Sequence, residues 1–543
     1  MKSYLVEIIN NTSDKLEYLK EVDYKISVPN QNAHGDYSIN AAMLLSKKLN
    51  RNPREIAQEI INNIEYDINI ISKIEIAGPG FINFFFNPLF VVRIINDVLS
   101  DPMDYGKLDN FKGKKANVEF VSANPTGPLT VGHGRNAVVG DTISNMLEWI
   151  GYEVDREFYF NNAGRQMRVL GDSVKKRYLA LLYDDTEDFP EDYYQGEYII
   201  DIAEELKNEF GDKLIEESPE GIFKQRAEKN IFADIENTLD ALKIKIKIFF
   251  NENSLYEDGK IDDLLSKFKE MDISYENEGA VWLRLKEMGN EQDKVIIKST
   301  GEPTYRLPDI AYHTTKFDRG YDLIVDIFGS DHNATYPDVV AALKAMGYDT
   351  EKIKVVIYQF VTIMEGNEKV KMSTRKANFI TLDELINEVG PDVVRYFFIM
   401  QNTTTHLNFD LELAKKHSDE NPVFYLQYAH ARISSILKVT HEQGLKLSTQ
   451  NLELLVTESE LNILKKLSIF KEEILYSAIQ FEPHRIAVYL LELAGLFHKF
   501  YNECRIIGSE NKLAEARIAL VTAVQIVIRN GLRILGVTAP EKM

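Results

Sequence analysis

Apolar positions recur at two periods along this chain, and the dominant period changes with position. Over residues 1 to about 110, INAAMLLSKKL and PREIAQEIINNI carry apolar residues at helical spacing, whereas KIEIAGPGFINFFF alternates like a strand. Gly78, Pro79 and Gly80 punctuate a turn before the last strand of that stretch. A small α+β unit follows from this, with DPMDYGKLDNFKG as the linker after it. From about 114 to 402 strands and helices alternate. ANVEFV, DLIVDIF and VIYQFVTIM are short, continuous apolar runs of the kind that form buried parallel strands. The alternation predicts a doubly wound, Rossmann-like α/β domain. Within it, residues about 165 to 290 are highly charged and helical in pattern, and are expected to be an insertion. Beyond about 405 no strand pattern is visible. ELNILKKLSIFKEEIL sets Leu461, Leu464, Leu467, Phe470 and Ile474 at helical spacing, as the core of an all-α helix bundle would. The expected domains are therefore 1–110, 114–402 and 405–543.

Length agrees with this division, because 543 residues exceed what one hydrophobic core organises. Apolar content of 44% and charged content of 27% are ordinary for a globular chain. The opening MKSYLVEIIN lacks the apolar run of a signal peptide, and no run approaches the ~18 apolar residues of a membrane span. With Cys504 as the one cysteine, neither a disulfide framework nor a thiolate zinc site can be built within the chain, so no zinc and a reduced, cytoplasmic setting are expected. A net charge of −21 argues at first against a nucleic-acid partner. The charge is unevenly spread, however. Residues 405–543 hold sixteen basic and sixteen acidic side chains, so the excess lies entirely upstream and the C-terminal region can carry a basic face.

Two segments carry candidate chemistry. The first follows the strand ANVEFV and runs from Ala123 through Asn124, Pro125, Thr126, Gly127, Pro128, Leu129, Thr130, Val131 and Gly132 to His133, with a helix after it. Prolines and glycines fix the turn between strand and helix. A ligand belongs beyond the carboxyl end of such a strand, and the free amides and positive end of the helix favour phosphate. Gly132 permits close approach, and His133 can donate to phosphate oxygens from the first turn. Val131-Gly132-His133 alone would fit a capped helix with a structural histidine; the eleven-residue string is far more specific. The second segment, EGNEKVKMSTRKAN, holds Lys369, Lys371, Arg375 and Lys376 just before Thr381-Leu-Asp-Glu384, a capping-box pattern. Four cations on one loop suit a polyphosphate whose charge shifts during reaction.

These elements resemble the HIGH and KMSKS signatures of class I aminoacyl-tRNA synthetases, in the right order and 238 positions apart from His133 to Lys371. SANPTGPLTVGHGRNAVVGD, FNNAGRQM, TYRLPDIAYHTTKFDRGYD, FGSDHNATYP, KMSTRKANFITLDEL, NPVFYLQYAHAR and LGVTAPEKM are similar to segments of the arginyl-tRNA synthetases. The likeness extends over essentially the whole chain and is weakest near 175–290. Two departures stand out. Thr130 occupies the position of the first HIGH histidine, and K-M-S-T-R lacks the second KMSKS lysine, whose charge either Lys369 or Arg375 can supply. A cysteine-specific enzyme of the same class would need a thiolate-bound zinc, which one cysteine excludes. Nucleotidyltransferases with a related histidine loop are shorter and lack a helical C-terminal domain.

The resemblance implies an arginine–tRNA ligase that activates L-arginine with ATP and passes it to the 3′-terminal adenosine of tRNA(Arg), with Mg²⁺ carried on the ATP phosphates. It implies that Thr130, His133, Lys371 and Ser373 serve the phosphates, and that Gly132, Gly329 and Asp331 line the nucleoside. Glu119, Ser122, Asn124, Tyr305, Asp309 and His332 are implied for arginine, with Glu119, Asp309 and Tyr305 on the guanidinium. An N-terminal domain at the tRNA elbow, a helical anticodon-binding domain and a monomer belong to the same implication. Tyr425, Tyr428, His430 and Arg432 in YLQYAHAR mix aromatic and basic character suited to unpaired bases, and would equally serve a helix–helix contact.

Overall fold

In the computed structural model, residues 1–29, 34–183, 189–330, 335–366, 368–370 and 380–543 are described. The N-terminal unit packs helices Lys2–Lys15, Ala41–Leu49 and Pro53–Asn63 with a four-stranded antiparallel sheet. Its spatial order is Ile26–Ser27, Tyr37–Ile39, Phe81–Phe86, Ile71–Ala77. Local chemistry sets these elements. Asn52 caps its helix by accepting from Arg54 N at 2.9 Å, and Pro53 fills the first helical position, where no amide is needed. The hairpin turns on Gly78 and Gly80, both at positive φ.

The central domain is built on five parallel strands: β1 (Lys115–Glu119), β2 (Glu153–Phe160), β3 (Ile248–Asn251), β4 (Leu323–Gly329) and β5 (Ile353–Tyr358). Their order is β5-β4-β1-β2-β3. The chain moves outward from β1 in one direction to β3 and returns to start β4 on the other side. The switch point, where ligands bind in such sheets, is therefore the crevice between β1 and β4. Helix α1 (Val131–Trp149) follows β1 and is buried along most of its length. A Cβ at Gly140 would lie 2.3 Å from the Phe120 ring, so glycine is what lets this helix approach the strand. Helix α2 (Arg306–Asp318) leads into β4.

Two expectations change here. VIYQFVTIM is not one strand. It forms β5 and, after Gln359-Phe360, a second strand, Val361–Glu365, that pairs with Leu407–Asp410 in another sheet. Arg135 of α1 collects the carbonyls at the break, donating to Gln359 O at 2.6 Å, Thr405 O at 3.1 Å and Asn402 O at 3.3 Å. The charged stretch expected as an insertion is helical over Gly164–Tyr183, Glu197–Phe210 and Lys224–Ala241. It also supplies β3 of the main sheet and two strands, Ser274–Asn277 and Ala280–Leu283, of a three-stranded antiparallel sheet that Lys294–Ile297 completes.

The C-terminal region is helical, with α3 (Pro422–Glu442), Glu458–Ser468, Phe470–Gln480, α4 (Pro483–Glu503) and α5 (Asn511–Leu535). Leu464, Leu467, Phe470 and Ile474 are fully buried in its core, and Leu461 is half-buried. Helix α5 is long and apolar enough to span a membrane, but 78% of its apolar window is buried inside the protein, as a core helix would be. This bundle wraps α1. Buried Arg395 donates to Leu535 O at 2.9 Å and Leu242 O at 2.8 Å, and pairs with Asp141 of α1 at 2.6 Å.

Candidate active site

The crevice begins with a strained bend. Val121 and Ser122, just past β1, both adopt left-handed backbone (φ +64° and +44°), which is costly for a β-branched residue. Asn136 of α1 holds the bend by accepting from Val121 N at 2.7 Å, and donates to Ile327 O of β4 at 3.0 Å. The bend brings the Ser122 hydroxyl to Glu119 Oε1 at 2.9 Å and lets it accept from Tyr159 N at 3.2 Å. The chain then runs to Thr130, which caps α1. Thr130 Oγ1 accepts from His133 N at 3.5 Å, and Thr130 N donates to His133 Nδ1 at 3.2 Å. With Nδ1 accepting, the neutral ring carries its proton on Nε2. Burial pushes the His133 pKa down, so the neutral form is favoured. The Thr130 hydroxyl, expected to face phosphate, is occupied with capping.

Three carboxylates stand abreast on the sheet, because Asp326, Glu119 and Glu157 are in register on β4, β1 and β2. Cations spaced three apart answer them from α2 and its end. Lys316, fully buried, bridges Glu119 and Asp326 at 2.6 Å each. Arg319 grips Glu157 in a fork at 2.7 and 2.9 Å. His313 sets Nε2 3.1 Å from Asp326 and Nδ1 2.8 Å from the Asp309 carbonyl. Both partners are acceptors, so the ring holds both protons. Burial works to lower its pKa, but Asp326 outweighs burial and raises it. Burial likewise opposes the Lys316 charge, and its carboxylates overcome that; Asp326 is held well below the carboxylate range.

Glu119, which the resemblance implies for the guanidinium, is a buried carboxylate paired with Lys316. Glu252, just past β3, has the complementary character. It accepts from Tyr159 OH at 2.6 Å and Asn161 Nδ2 at 2.8 Å, both neutral, and has no ion-pair partner among the described residues. Desolvation raises its pKa. The Tyr159 hydroxyl is itself pushed far up, first by burial and then by the charges of Glu252, Asp309 and Glu119, and of these Glu252 is in hydrogen-bond contact with it. Asn124 adjoins this group, accepting from Asn161 N at 2.9 Å and donating to Gln166 at 2.8 Å. Sequence reading missed Glu252 because it lies in the stretch taken for an insertion. It passed over Lys316 and His313 as well, although the H-x-x-K-x-x-R spacing of His313, Lys316 and Arg319 was a usable signal.

Other expected residues scatter. Tyr305 is 86% exposed at the start of α2, outside the carboxylate group. Around Gly132 the nearest atom to an added Cβ is Thr130 Oγ1 at 3.6 Å, which leaves room for a ligand. Gly329 ends β4, half-buried. Asp331, His332, Lys371, Ser373, Arg375 and Lys376 lie outside the described residues. Further along, Thr381 is bridged to Thr130, and Leu382 N donates to Leu129 O at 2.8 Å. The expected capping box is formed between Thr381 and Glu384. On α3, exposed Tyr428 and half-buried Arg432 lie one turn apart, with the hydroxyl accepting from the guanidinium at 2.8 Å. Tyr425 is half-buried against His498. His430 points the other way, 4% exposed with Nδ1 2.8 Å from Pro540 O; helical periodicity puts it on the packed face.

A parallel sheet of this order, with a histidine-bearing helix start at its switch point and a helical C-terminal bundle, defines a class I aminoacyl-tRNA synthetase. Comparison with known proteins agrees. Residues 94–410 match the family "tRNA synthetases class I (R), catalytic domain", residues 2–86 the "Arginyl tRNA synthetase N terminal domain", and residues 426–543 the "DALR anticodon binding domain". The chain is 47% identical to the arginine–tRNA ligase of Salinibacter ruber over 100% of both chains, and 48% identical to that of Pelodictyon phaeoclathratiforme over 100% of both. Among solved structures, a putative arginyl-tRNA synthetase from Campylobacter jejuni superposes with a TM-score of 0.77 at 33% identity, over 84% of this chain and 100% of that one. The Thermus thermophilus arginyl-tRNA synthetase shares the fold over 100% of both chains, with a TM-score of 0.81 at 22% identity. The chain belongs to the arginyl-tRNA synthetase family; it is an arginine–tRNA ligase of class I.

Proposed function

We propose that this enzyme joins L-arginine to tRNA(Arg) in two steps, at the crevice between β1 and β4. An arginine carboxylate oxygen attacks the α-phosphorus of ATP, forming arginyl-adenylate and releasing pyrophosphate. The 2′-hydroxyl of the terminal adenosine then attacks the arginyl carbonyl carbon, and AMP leaves with the electrons of the mixed-anhydride bond. Neither step needs a protein nucleophile, so positioning and charge stabilisation carry the rate. His133 donates from Nε2 to the phosphates, and its capping partner Thr130 sets that tautomer. Lys371 and Ser373 complete the phosphate end, Mg²⁺ enters on the phosphates of ATP itself, and Gly132 and Gly329 flank the nucleoside, with Asp331 beside them.

The observation that carries the arginine reading is that Glu252 is held by two neutral donors, Tyr159 OH and Asn161 Nδ2, near a Glu119 whose charge Lys316 already offsets. Glu252 and Asp309 receive the guanidinium, a planar fork that matches paired carboxylate oxygens. Glu119 with Ser122 holds the α-ammonium, Asn124 the α-carboxylate, and Tyr305 and His332 complete the set of arginine-binding residues. Tyr428 and Arg432 stack and pair with unpaired anticodon bases, with Tyr425 supporting them from the half-buried side; His430 is excluded from this set by its packing. The N-terminal domain meets the tRNA elbow, and the enzyme works as a cytoplasmic monomer. Arginine-dependent ATP–pyrophosphate exchange, with and without tRNA, tests the reading. Exchange supported by arginine alone among amino acids is expected; no exchange in either condition, or exchange with a different amino acid, overturns it.

A further inference from the structure

We infer that the stretch from Tyr159 to Asn161, at the end of β2, is a gauge of side-chain length that admits arginine and rejects its shorter and longer homologues, an inference that rests on the ligase reading above. The stretch touches both ends of the proposed arginine site. Its backbone amides hold the residues assigned to the α-amino acid group: Tyr159 N donates to Ser122 Oγ at 3.2 Å, and Asn161 N donates to Asn124 Oδ1 at 2.9 Å. Its side chains hold the carboxylate assigned to the guanidinium: Tyr159 OH donates to Glu252 Oε2 at 2.6 Å, and Asn161 Nδ2 donates to Glu252 Oε1 at 2.8 Å. The spacing of the two recognition points is therefore referred to one short piece of backbone.

The sheet explains how one stretch can serve both ends. Phe120 N still donates to Glu157 O at 3.1 Å, and β1 then leaves the ladder at the left-handed bend of Val121 and Ser122. Alternate amides of β2 face that side, as in any parallel pair. Past the bend, the amides of Tyr159 and Asn161 bond to the side-chain oxygens of Ser122 and Asn124 in place of strand carbonyls. On the other side the pairing with β3 continues beyond its last residue. Phe160 lies opposite Asn251, and Glu252 N donates to Phe160 O at 2.8 Å. Glu252 is thus tied to the same stretch by its backbone and its side chain together.

Both donors are themselves held in place. The Tyr159 ring lies nearly parallel to Phe250, with centroids 6.1 Å apart, and packs against Tyr312 at 4.6 Å. Tyr312 is fully buried, and its hydroxyl donates to Glu157 Oε1 at 2.8 Å. Asn161 Oδ1 accepts from Ala163 N at 2.7 Å, which leaves its amide nitrogen for Glu252. A carboxylate offers about four lone-pair positions, and among the described residues each Glu252 oxygen receives one donor. The positions left over on the two oxygens suit the paired N–H groups of a guanidinium. A substrate one methylene longer or shorter, anchored at Ser122 and Asn124, brings its guanidinium past or short of both oxygens, and a carboxylate fixed at both oxygens does not follow it.

The test is ATP–pyrophosphate exchange by the full chain, with tRNA present, on arginine, on homoarginine and on 2-amino-4-guanidinobutyrate, which is one methylene shorter than arginine. One methylene changes kcat/KM by about 10- to 200-fold in a fixed pocket, so the wild type should prefer arginine over each homologue by that factor. Tyr159→Phe keeps the ring and removes one donor to Glu252, and Asn161→Ala removes the other; both leave the backbone amides in place. Each should lower the preference several-fold, with KM for ATP unchanged, and the double variant should lower it further. A merely structural role would slow all three substrates alike and leave their ratios unmoved. Tyr159→Phe is close to isosteric and should keep its melting temperature, so it decides the matter if Asn161→Ala misfolds. Unchanged ratios in Tyr159→Phe overturn the inference. A wild type that uses homoarginine as well as arginine also overturns it, and leaves the ligase reading standing. No arginine-dependent exchange by the wild type would refute the ligase reading instead.

Discussion

Replacing Glu252 with glutamine removes one negative charge from the arginine group and leaves its shape nearly unchanged. The carboxylate is held by two neutral donors, Tyr159 OH and Asn161 Nδ2, and is desolvated enough for its pKa to rise. Without ligand it is therefore a charge the fold tolerates at a cost, and a neutral isostere should leave the melting temperature unchanged or raise it. With arginine bound the sign reverses. A hydrogen bond to a charged group contributes about 1.5–3 kcal/mol, and leaving the guanidinium short of a partner in a buried site adds desolvation cost, for a combined loss of about 2–4 kcal/mol. That corresponds to a fall of ~30- to ~900-fold in kcat/KM for arginine. The assay is ATP–pyrophosphate exchange with tRNA present, run on arginine and on citrulline, whose side chain has nearly the same shape without the charge. The arginine-to-citrulline ratio should drop along with kcat/KM. A Glu252→Gln protein with wild-type kcat/KM for arginine and an unchanged ratio would refute the reasoning and return the guanidinium to Glu119.

Lys316→Met should be far more damaging to the fold, because it leaves Glu119 and Asp326 facing each other with no ammonium between them. Breaking a buried ion pair from one side costs about 3–5 kcal/mol, which denaturant unfolding would register as a lower midpoint; an unchanged midpoint would show that the bridge is not needed. For His133, the folded-state pKa lies below the ordinary histidine value because of burial. Protonating Nδ1 breaks its acceptance from Thr130 N, so the ring's contribution to stability is lost as pH falls from about 6.5 toward the lowered value. Exchange activity should hold at neutral pH and decline only below that lowered pKa. His133→Ala should slow adenylate formation by ~10²–10³ with arginine KM little changed, and a loss confined to arginine affinity would remove His133 from the phosphate end.

Much of this molecule was legible along the chain, for a physical reason. Strand and helix periods, the Gly-Pro turn, and the Thr381–Glu384 box all depend on residues within a few positions of one another, and so does the proline- and glycine-rich loop leading to His133. The parallel α/β core, the helical C-terminal bundle and the family were therefore accessible before any coordinates. Tertiary structure alone decided how the charges are spent. Glu119 meets Lys316 197 positions away, and Glu252 reaches Tyr159 from 93 positions away. Which carboxylate is neutralised and which stays open is set by sheet register, which brings Asp326, Glu119 and Glu157 abreast. The break in VIYQFVTIM depends likewise on Arg135, more than 220 positions upstream of Gln359, and the burial of His430 on Pro540 near the far end of the chain. Electrostatic roles follow distances in space, and a sequence lists only distances along the chain.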